Sequence, residues 1–111
     1  MAPEKLDWIC QKVAGCYKRV FGVKLHSVFL YGSYARGDYT GESDIDFAAV
    51  VDEDRLPMQE KLKQLWDETA DLDPEYEALI SPTAIPLAEF EKYKERLPYY
   101  RNIRKEGRQI G

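Results

Sequence analysis

Apolar and charged positions alternate along this chain with two different periods. Over residues 4–21, Leu6, Ile9, Cys10, Val13, Tyr17 and Val20 recur near helical spacing, with Lys12, Lys18 and Arg19 elsewhere, and Gly22 supplies a stop. Residues 25–31, LHSVFLY, are rich in β-branched and aromatic side chains and predict a strand. The next stretch, GSYARGDYTGES, has loop chemistry with room for one helical turn. Residues 44–52, DIDFAAVVD, predict a second strand, and its unbroken apolar run from Phe47 to Val51 predicts a central position covered on both faces. Residues 55–70 return to helical spacing through Leu56, Leu62, Leu65 and Trp66, with Pro57 in the first turn. A third strand is expected over 75–80, EYEALI, with Pro82 and Pro86 preventing its extension. A short helix over 87–96 and a last one over 98–106, closed by Gly107, complete the chain. The order α-β-loop-β-α-β-α-α predicts an α/β (α+β) fold: a small mixed sheet packed with helices, forming a single domain over residues 1–111.

Chemistry concentrates between the first two strands. Gly32-Ser33 follows a strand directly, where glycine allows close backbone approach and the serine hydroxyl can donate to a phosphate oxygen. Taken alone, this is an ordinary turn. Asp44 and Asp46 stand two apart at a strand start, so the period of two points both carboxylates to one face while Ile45 and Phe47 point to the other. Two adjacent like charges repel unless a cation lies between them, and hard oxygen donors suit Mg²⁺ or Mn²⁺. Taken alone, this too is a solvated strand end. The loop between them joins the two features, bringing a phosphate cradle and a metal site into one crevice.

Charge distribution agrees with a site of that kind. The net charge of −4 hides an uneven layout: residues 1–37 carry +4, residues 38–77 carry −11 and residues 78–111 carry +3. An acidic middle between basic ends is not the footprint of a nucleic-acid binder, which is basic overall. Cys10 and Cys16 fall on different faces of the first helix, so a mutual disulfide is not expected and a reducing cytoplasm is. No apolar stretch is long enough to span a bilayer, and no signal peptide is read at the N-terminus. The single histidine, His26, supports no Ser-His-Asp constellation, and neither a P-loop nor an EF-hand pattern is present. The tail YYRNIRKEGR reads as a helix packed through Tyr99, Tyr100 and Ile103 with its bases outward.

The run GSYARGDYTGESDIDFAAVV resembles the signature of the minimal nucleotidyltransferases of the DNA polymerase β-like superfamily: Gly-Ser, about ten residues, then Asp-x-Asp and an apolar strand. The resemblance implies transfer of a nucleoside monophosphate, AMP from ATP or another NTP, to an acceptor hydroxyl with release of pyrophosphate, and dependence on Mg²⁺. Carried over by position, Gly32 and Ser33 would hold the triphosphate, Arg36 would contact it, and Asp44 and Asp46 would bind metal. The family adds a third carboxylate, most often Asp, on a later strand. Glu77 is expected to supply it, with Glu75 and Asp73 as alternatives, and a Glu departs from the usual residue. The chain leaves no room for the helical acceptor-binding domains of larger relatives. The resemblance therefore implies a partner, a small helical HEPN-type toxin that the chain would adenylylate as its antitoxin, or a homodimer. The alternative is a catalytically weak module that binds nucleotide or neutralises a partner by contact.

Overall fold

The computed structural model describes residues 1–75 and 77–111. Nine elements follow in chain order: α1 (Pro3–Phe21), β1 (Leu25–Tyr31), α2 (Ser33–Arg36), β2 (Ile45–Val51), α3 (Arg55–Thr69), β3 (Ile80–Pro86), α4 (Leu87–Tyr93), α5 (Pro98–Glu106) and β4 (Arg108–Gln109), with a 3₁₀ turn at Gly22–Lys24. They build the mixed sheet expected, in the order β3-β2-β1-β4, with β2 antiparallel to β1 and parallel to β3.

α1 begins on Pro3, which has no amide hydrogen to leave unbonded, and carries Glu4 in its first turn and Lys18 and Arg19 in its last, as the helix dipole favours. Its buried stripe runs Ile9, Cys10, Val13, Cys16, Tyr17 and Phe21. The two cysteines are buried and unbridged. β2 sits between β1 and β3, and its side chains divide by parity. Ile45, Phe47, Ala49 and Val51 pack into the core with α1 and α3, while Ala48 and Val50 join Ile85, Phe90, Tyr100 and Ile103 beneath α4 and α5. Burying one large apolar side chain of this kind contributes about 1.5–3 kcal/mol, which explains why the run without polar interruption claims the centre. Asp46 shares the parity of Ala48 and Val50, so its carboxylate emerges on the α4/α5 side.

The third strand departs from expectation. It runs over Ile80–Pro86 rather than 75–80, and both prolines lie inside it. β3 is an edge strand. The Ile45 amide donates to Leu79 O at 2.8 Å, which sets the odd-numbered residues of β3 to bond β2 and turns the nitrogens of Pro82 and Pro86 outward. No ladder donor is required there, so proline is tolerated. Of the expected strand, Glu75 lies in a turn, residues 77–79 precede the ladder, and Tyr76 lies outside the described residues.

β4 was not legible from periodicity, being two residues long. It pairs with Phe29 and Leu30, and the Ile110 amide donates to Val28 O at 2.8 Å. The return of the chain to β1 lays α5 across the end of the sheet beside Tyr31. No helix among the described residues is long and apolar enough to cross a membrane.

Candidate active site

Gly32 follows β1 with φ +74° and ψ −155°, a backbone conformation that favours glycine. The chain then makes the four-residue helix α2, closed by Gly37. Tyr34 and Tyr39 stack with centroids 4.1 Å apart, folding the loop back onto α2, and Tyr39 Oη donates to Met1 O at 3.2 Å. Thr40 and Ser43 close a turn, with the Thr40 amide donating to Ser43 Oγ at 2.9 Å and the Ser43 amide to Thr40 O at 3.1 Å. These contacts deliver Asp44 and Asp46 to the start of β2.

The two halves of the motif meet there. A β-carbon placed on Gly32 would stand 2.6 Å from Asp46 Oδ2, a distance real side chains do not tolerate. Tyr31 is the register partner of Asp46 across the β1–β2 ladder, so the residue before Gly32 and the second aspartate are opposite each other on one face. Burial raises the pKa of Asp46 above the ordinary carboxylate range, Asp44 pushes it the same way, and Arg36 opposes both. Neither aspartate forms an ion pair with any described residue. Two carboxylates that repel each other, Asp44 exposed and Asp46 half-buried, and unpaired with any described protein cation, are a donor set that fits a divalent metal whose remaining positions would be filled by water and phosphate oxygens.

Arg36 reaches the same end of the molecule, but its charge is shared. Its Nε bonds Asp38 Oδ2 at 3.2 Å and Nη1 bonds Glu106 Oε2 at 3.4 Å, tying α2 to α5. Ser33 opens α2 with its hydroxyl unengaged by any described residue.

Glu77 lies elsewhere. Three residues before β3 begins, it is bonded to Lys5 Nζ at 2.7 Å and lies 3.8 Å from the N-terminal amine, on the α1 side of the sheet. Lys5 also contacts Glu75 at 3.1 Å and Asp73 at 2.9 Å, so all three candidates for the third carboxylate converge on one lysine. Asp73 is the anchor of this group. Buried to 3% exposure, it accepts the amides of Glu75 at 3.0 Å and Glu77 at 2.9 Å. Burial alone would raise its pKa, but Lys5 and the two amides outweigh that and hold it below the usual range. Among the described residues no group of three Asp, Glu, His or Cys side chains is placed to hold a metal. The residue of β3 level with Asp46 is Ser81, on the same face.

Clefts border the sheet at both ends of β2. The one beside the Gly-Asp contact has a volume of about 170 Å³ and is lined by Tyr31, Gly32, Arg36, Tyr99, Asn102 and Glu106. A larger one, about 620 Å³, lies at the opposite end of β2 among Asp52, Glu53, Asp54, Arg55 and Glu89. It is roughly 20 Å along the strand from Asp46 at about 3.3 Å per residue, and Arg55 and Glu89 are paired with each other there, so size does not make it the site.

The pattern of the family described as Nucleotidyltransferase domain matches residues 10–110. The chain belongs to that family. Among relatives of the domain, three proteins of Methanocaldococcus jannaschii share the name "Putative protein adenylyltransferase". The chain is 41% identical to the first over 59 residues, which are 53% of this chain and 58% of that protein. To the second it is 58% identical over 31 residues, 28% of this chain and 31% of that one. The matches thus span little more than half of the first relative and about a third of the second. Two crystal structures share the nucleotidyltransferase fold. One is a MntA-HpeT toxin-antitoxin variant with two Asp-to-Glu changes (TM-score 0.56, 18% identity, 92% of this chain and 72% of that one). The other is a toxin-antitoxin with AMP-PNP (TM-score 0.55, 18% identity, 91% and 72%).

Of the site residues expected from the sequence, Gly32 and Asp46 are brought together, Asp44 stands two residues before Asp46, and Glu77 is held apart by Lys5. What sequence reading missed is the α5 wall. Tyr99, Asn102 and Glu106 are spaced three and four apart, so they share one helix face. That spacing was a signal available in the sequence.

Proposed function

We propose that this nucleotidyltransferase domain transfers AMP from ATP to an acceptor hydroxyl. The observation that carries the reading is the contact between Gly32 and Asp46, which joins a glycine-lined phosphate approach to a carboxylate pair in one crevice. Gly32 and Ser33 would hold the triphosphate, the serine through its hydroxyl, and Arg36 would add positive charge beside it. Asp44 and Asp46 would hold Mg²⁺, or Mn²⁺, which supplies charge neutralisation on the phosphates and lowers the pKa of a bound hydroxyl. The acceptor oxygen bonds to the α-phosphorus, the bond from that phosphorus to the bridging oxygen breaks, pyrophosphate leaves, and the hydroxyl proton is released to solvent. Glu77 would have to abandon Lys5 to join the pair, so this reading leaves it in the charge cluster.

The acceptor we favour is a tyrosine hydroxyl on a small helical HEPN-type toxin, with the chain acting as antitoxin in the cytoplasm. Support comes from the motif resemblance and from the fold shared with toxin-antitoxin structures. The deciding experiment combines the protein with Mg²⁺, α-labelled ATP and such a partner. Label on the partner, with pyrophosphate released and both lost in Asp44→Ala and Asp46→Ala, is the expected result. No label where partner binding is demonstrated would sink the enzyme reading.

A second reading has one specific observation behind it. With Asp73, Glu75 and Glu77 gathered on Lys5, none of the three candidates for a third carboxylate joins Asp44 and Asp46. A catalytically weak module that binds nucleotide, or neutralises its partner by contact, would show that arrangement. It is distinguished by partner binding that survives Asp46→Ala.

A further inference from the structure

The bases at the C-terminal end of the chain have no part in the crevice chemistry. α5 carries Arg101, Arg104 and Lys105, and Arg108 follows it in β4. Two of these four are neutralised within the molecule. Arg104 pairs with Glu95, and Arg108 Nη2 lies 3.2 Å from Asp7 Oδ1. Arg101 and Lys105 are exposed, and neither forms an ion pair with any described residue. Four apart on a helix, they are neighbours of like charge, a placement that costs free energy unless an anion lies across both. Leu97, four residues before Arg101, is 42% exposed. One outer stripe of the helix therefore runs apolar, cationic, cationic.

This stripe adjoins the candidate active site. Tyr99, Asn102 and Glu106 line the cleft beside Gly32 from the next face of α5. Lys105 is three residues after Asn102, so those two side chains are neighbours on the helix surface. A ligand lying along the outer stripe passes within one side chain of the cleft. The acid on the cleft side does not cancel the stripe, because Glu106 Oε2 is shared with Arg36 Nη1 at 3.4 Å.

The number of free cations selects the kind of ligand. Proteins that grip nucleic acid by charge neutralise roughly 6–10 phosphates, and two cations fall well short of that. Residues 38–77, which supply Asp44 and Asp46 to the site, carry −11 and repel a long polyanion. A peptide segment needs only a carboxylate for each cation and an apolar side chain against Leu97. Its hydroxyl then has a short reach across Asn102 into the crevice.

We infer that the stripe of Leu97, Arg101 and Lys105 is the docking surface for the acceptor, and that the acceptor is a protein segment with carboxylates beside its hydroxyl. The inference rests on the nucleotidyl-transfer reading of the adjoining crevice and adds the chemistry by which the acceptor is recognised.

The test uses the full chain with three labelled probes: a peptide holding one tyrosine and one leucine among glutamates, the same peptide with glutamine for every glutamate, and polyadenylate. Fluorescence anisotropy without ATP reads docking, and label transfer from α-labelled ATP with Mg²⁺ reads activity. The wild type is expected to prefer the glutamate peptide, and to lose that preference as salt rises. An exposed ion pair changes affinity by roughly two- to fivefold, so Arg101→Gln with Lys105→Gln should weaken glutamate-peptide binding about tenfold. Arg101→Lys with Lys105→Arg keeps both charges and should bind as the wild type does. ATP affinity should stay within about twofold in both variants. Both positions are exposed, and circular dichroism checks the fold of each variant. Equal binding of the two peptides, unchanged binding in the glutamine variant, or a fall in ATP affinity as large as that for the peptide would overturn the docking surface. Polyadenylate bound as tightly as the glutamate peptide, and lost with it, would overturn it in favour of nucleic acid. Failure of the transfer reading looks different: the glutamate peptide would dock through Arg101 and Lys105 and take no label.

Discussion

Gly32 stands so close to Asp46 that a β-carbon on the glycine would meet Asp46 Oδ2 at 2.6 Å. The glycine is required twice over, since its φ of +74° also lies in a region that side chains disfavour. Gly32→Ala should therefore cost about 1–3 kcal/mol in backbone strain alone. At about 4–8 °C per kcal/mol for a domain slightly smaller than this one, the fall in Tm would be readily measured. The same variant should lose Mg²⁺-dependent ATP binding, because the added methyl displaces the carboxylate. A Tm within a degree of wild type would contradict the contact.

Asp46 also sets a pH dependence. Burial and the neighbouring Asp44 raise its pKa in the folded state. The sign follows: the folded state is favoured while Asp46 is protonated, and that advantage is lost as pH rises through the raised pKa. At neutral pH the ionised group is a liability without a cation. Asp46→Asn is expected to raise Tm at pH 7 in a chelator, to leave Tm unchanged below the ordinary carboxylate pKa, and to abolish the increase that Mg²⁺ gives the wild type. Thermal scans at the two pH values, with and without Mg²⁺, decide it.

The Lys5 cluster predicts the opposite sign. Asp73 has a pKa held low by Lys5 and two amides, so its contribution is present above the ordinary carboxylate range and disappears as pH falls through the depressed value. Asp73→Ala leaves two amides and a lysine without their acceptor, at a cost of about 1–3 kcal/mol. Urea unfolding should show this loss at pH 7 and a smaller difference below pH ~3, as acid removes the same interaction from the wild type. Glu77→Ala, exposed and one of three partners of Lys5, should cost under about 1 kcal/mol. It is expected to leave label transfer intact; abolished transfer with an unchanged Tm would return Glu77 to the site.

Ser81 offers a gain-of-function test. It is level with Asp46 on the neighbouring strand and on the same face. Ser81→Asp adds a third carboxylate to the crevice, which should lower Tm in a chelator through repulsion and tighten Mg²⁺ binding several-fold, as added ligand charge does. Weaker Mg²⁺ binding, read from the Mg²⁺ dependence of Tm, would show that Ser81 does not border the metal position.

Most of the fold could be read along the chain because its elements follow simple periods. α1 carries a stripe at helical spacing, and β2 carries an apolar run with room for no other place than the centre. The third strand was misplaced because EYEALI has the alternation of a strand, while ISPTAIP contains two prolines that exclude it from any central position. Only the edge location, where Pro82 and Pro86 turn their nitrogens away from β2, removes the objection. The third-carboxylate assignment failed to join the pair for a related reason. Its choice depended on the strand assignment, and on the charge of Lys5, which is 72 residues distant in sequence and adjacent in space.

By itself the sequence determined the helices, the first two strands with β2 at the centre, and the spacing that brings Gly32 beside Asp46. Each of these follows from local periodicity or from spacing within one loop. Tertiary structure alone decided which carboxylates are neutralised by Lys5 and which remain unpaired, which residue of β3 stands beside Asp46, and that α5 forms a wall of the crevice. Those outcomes depend on strand register and on the return of β4 to β1, and both are set by contacts between residues far apart in the chain.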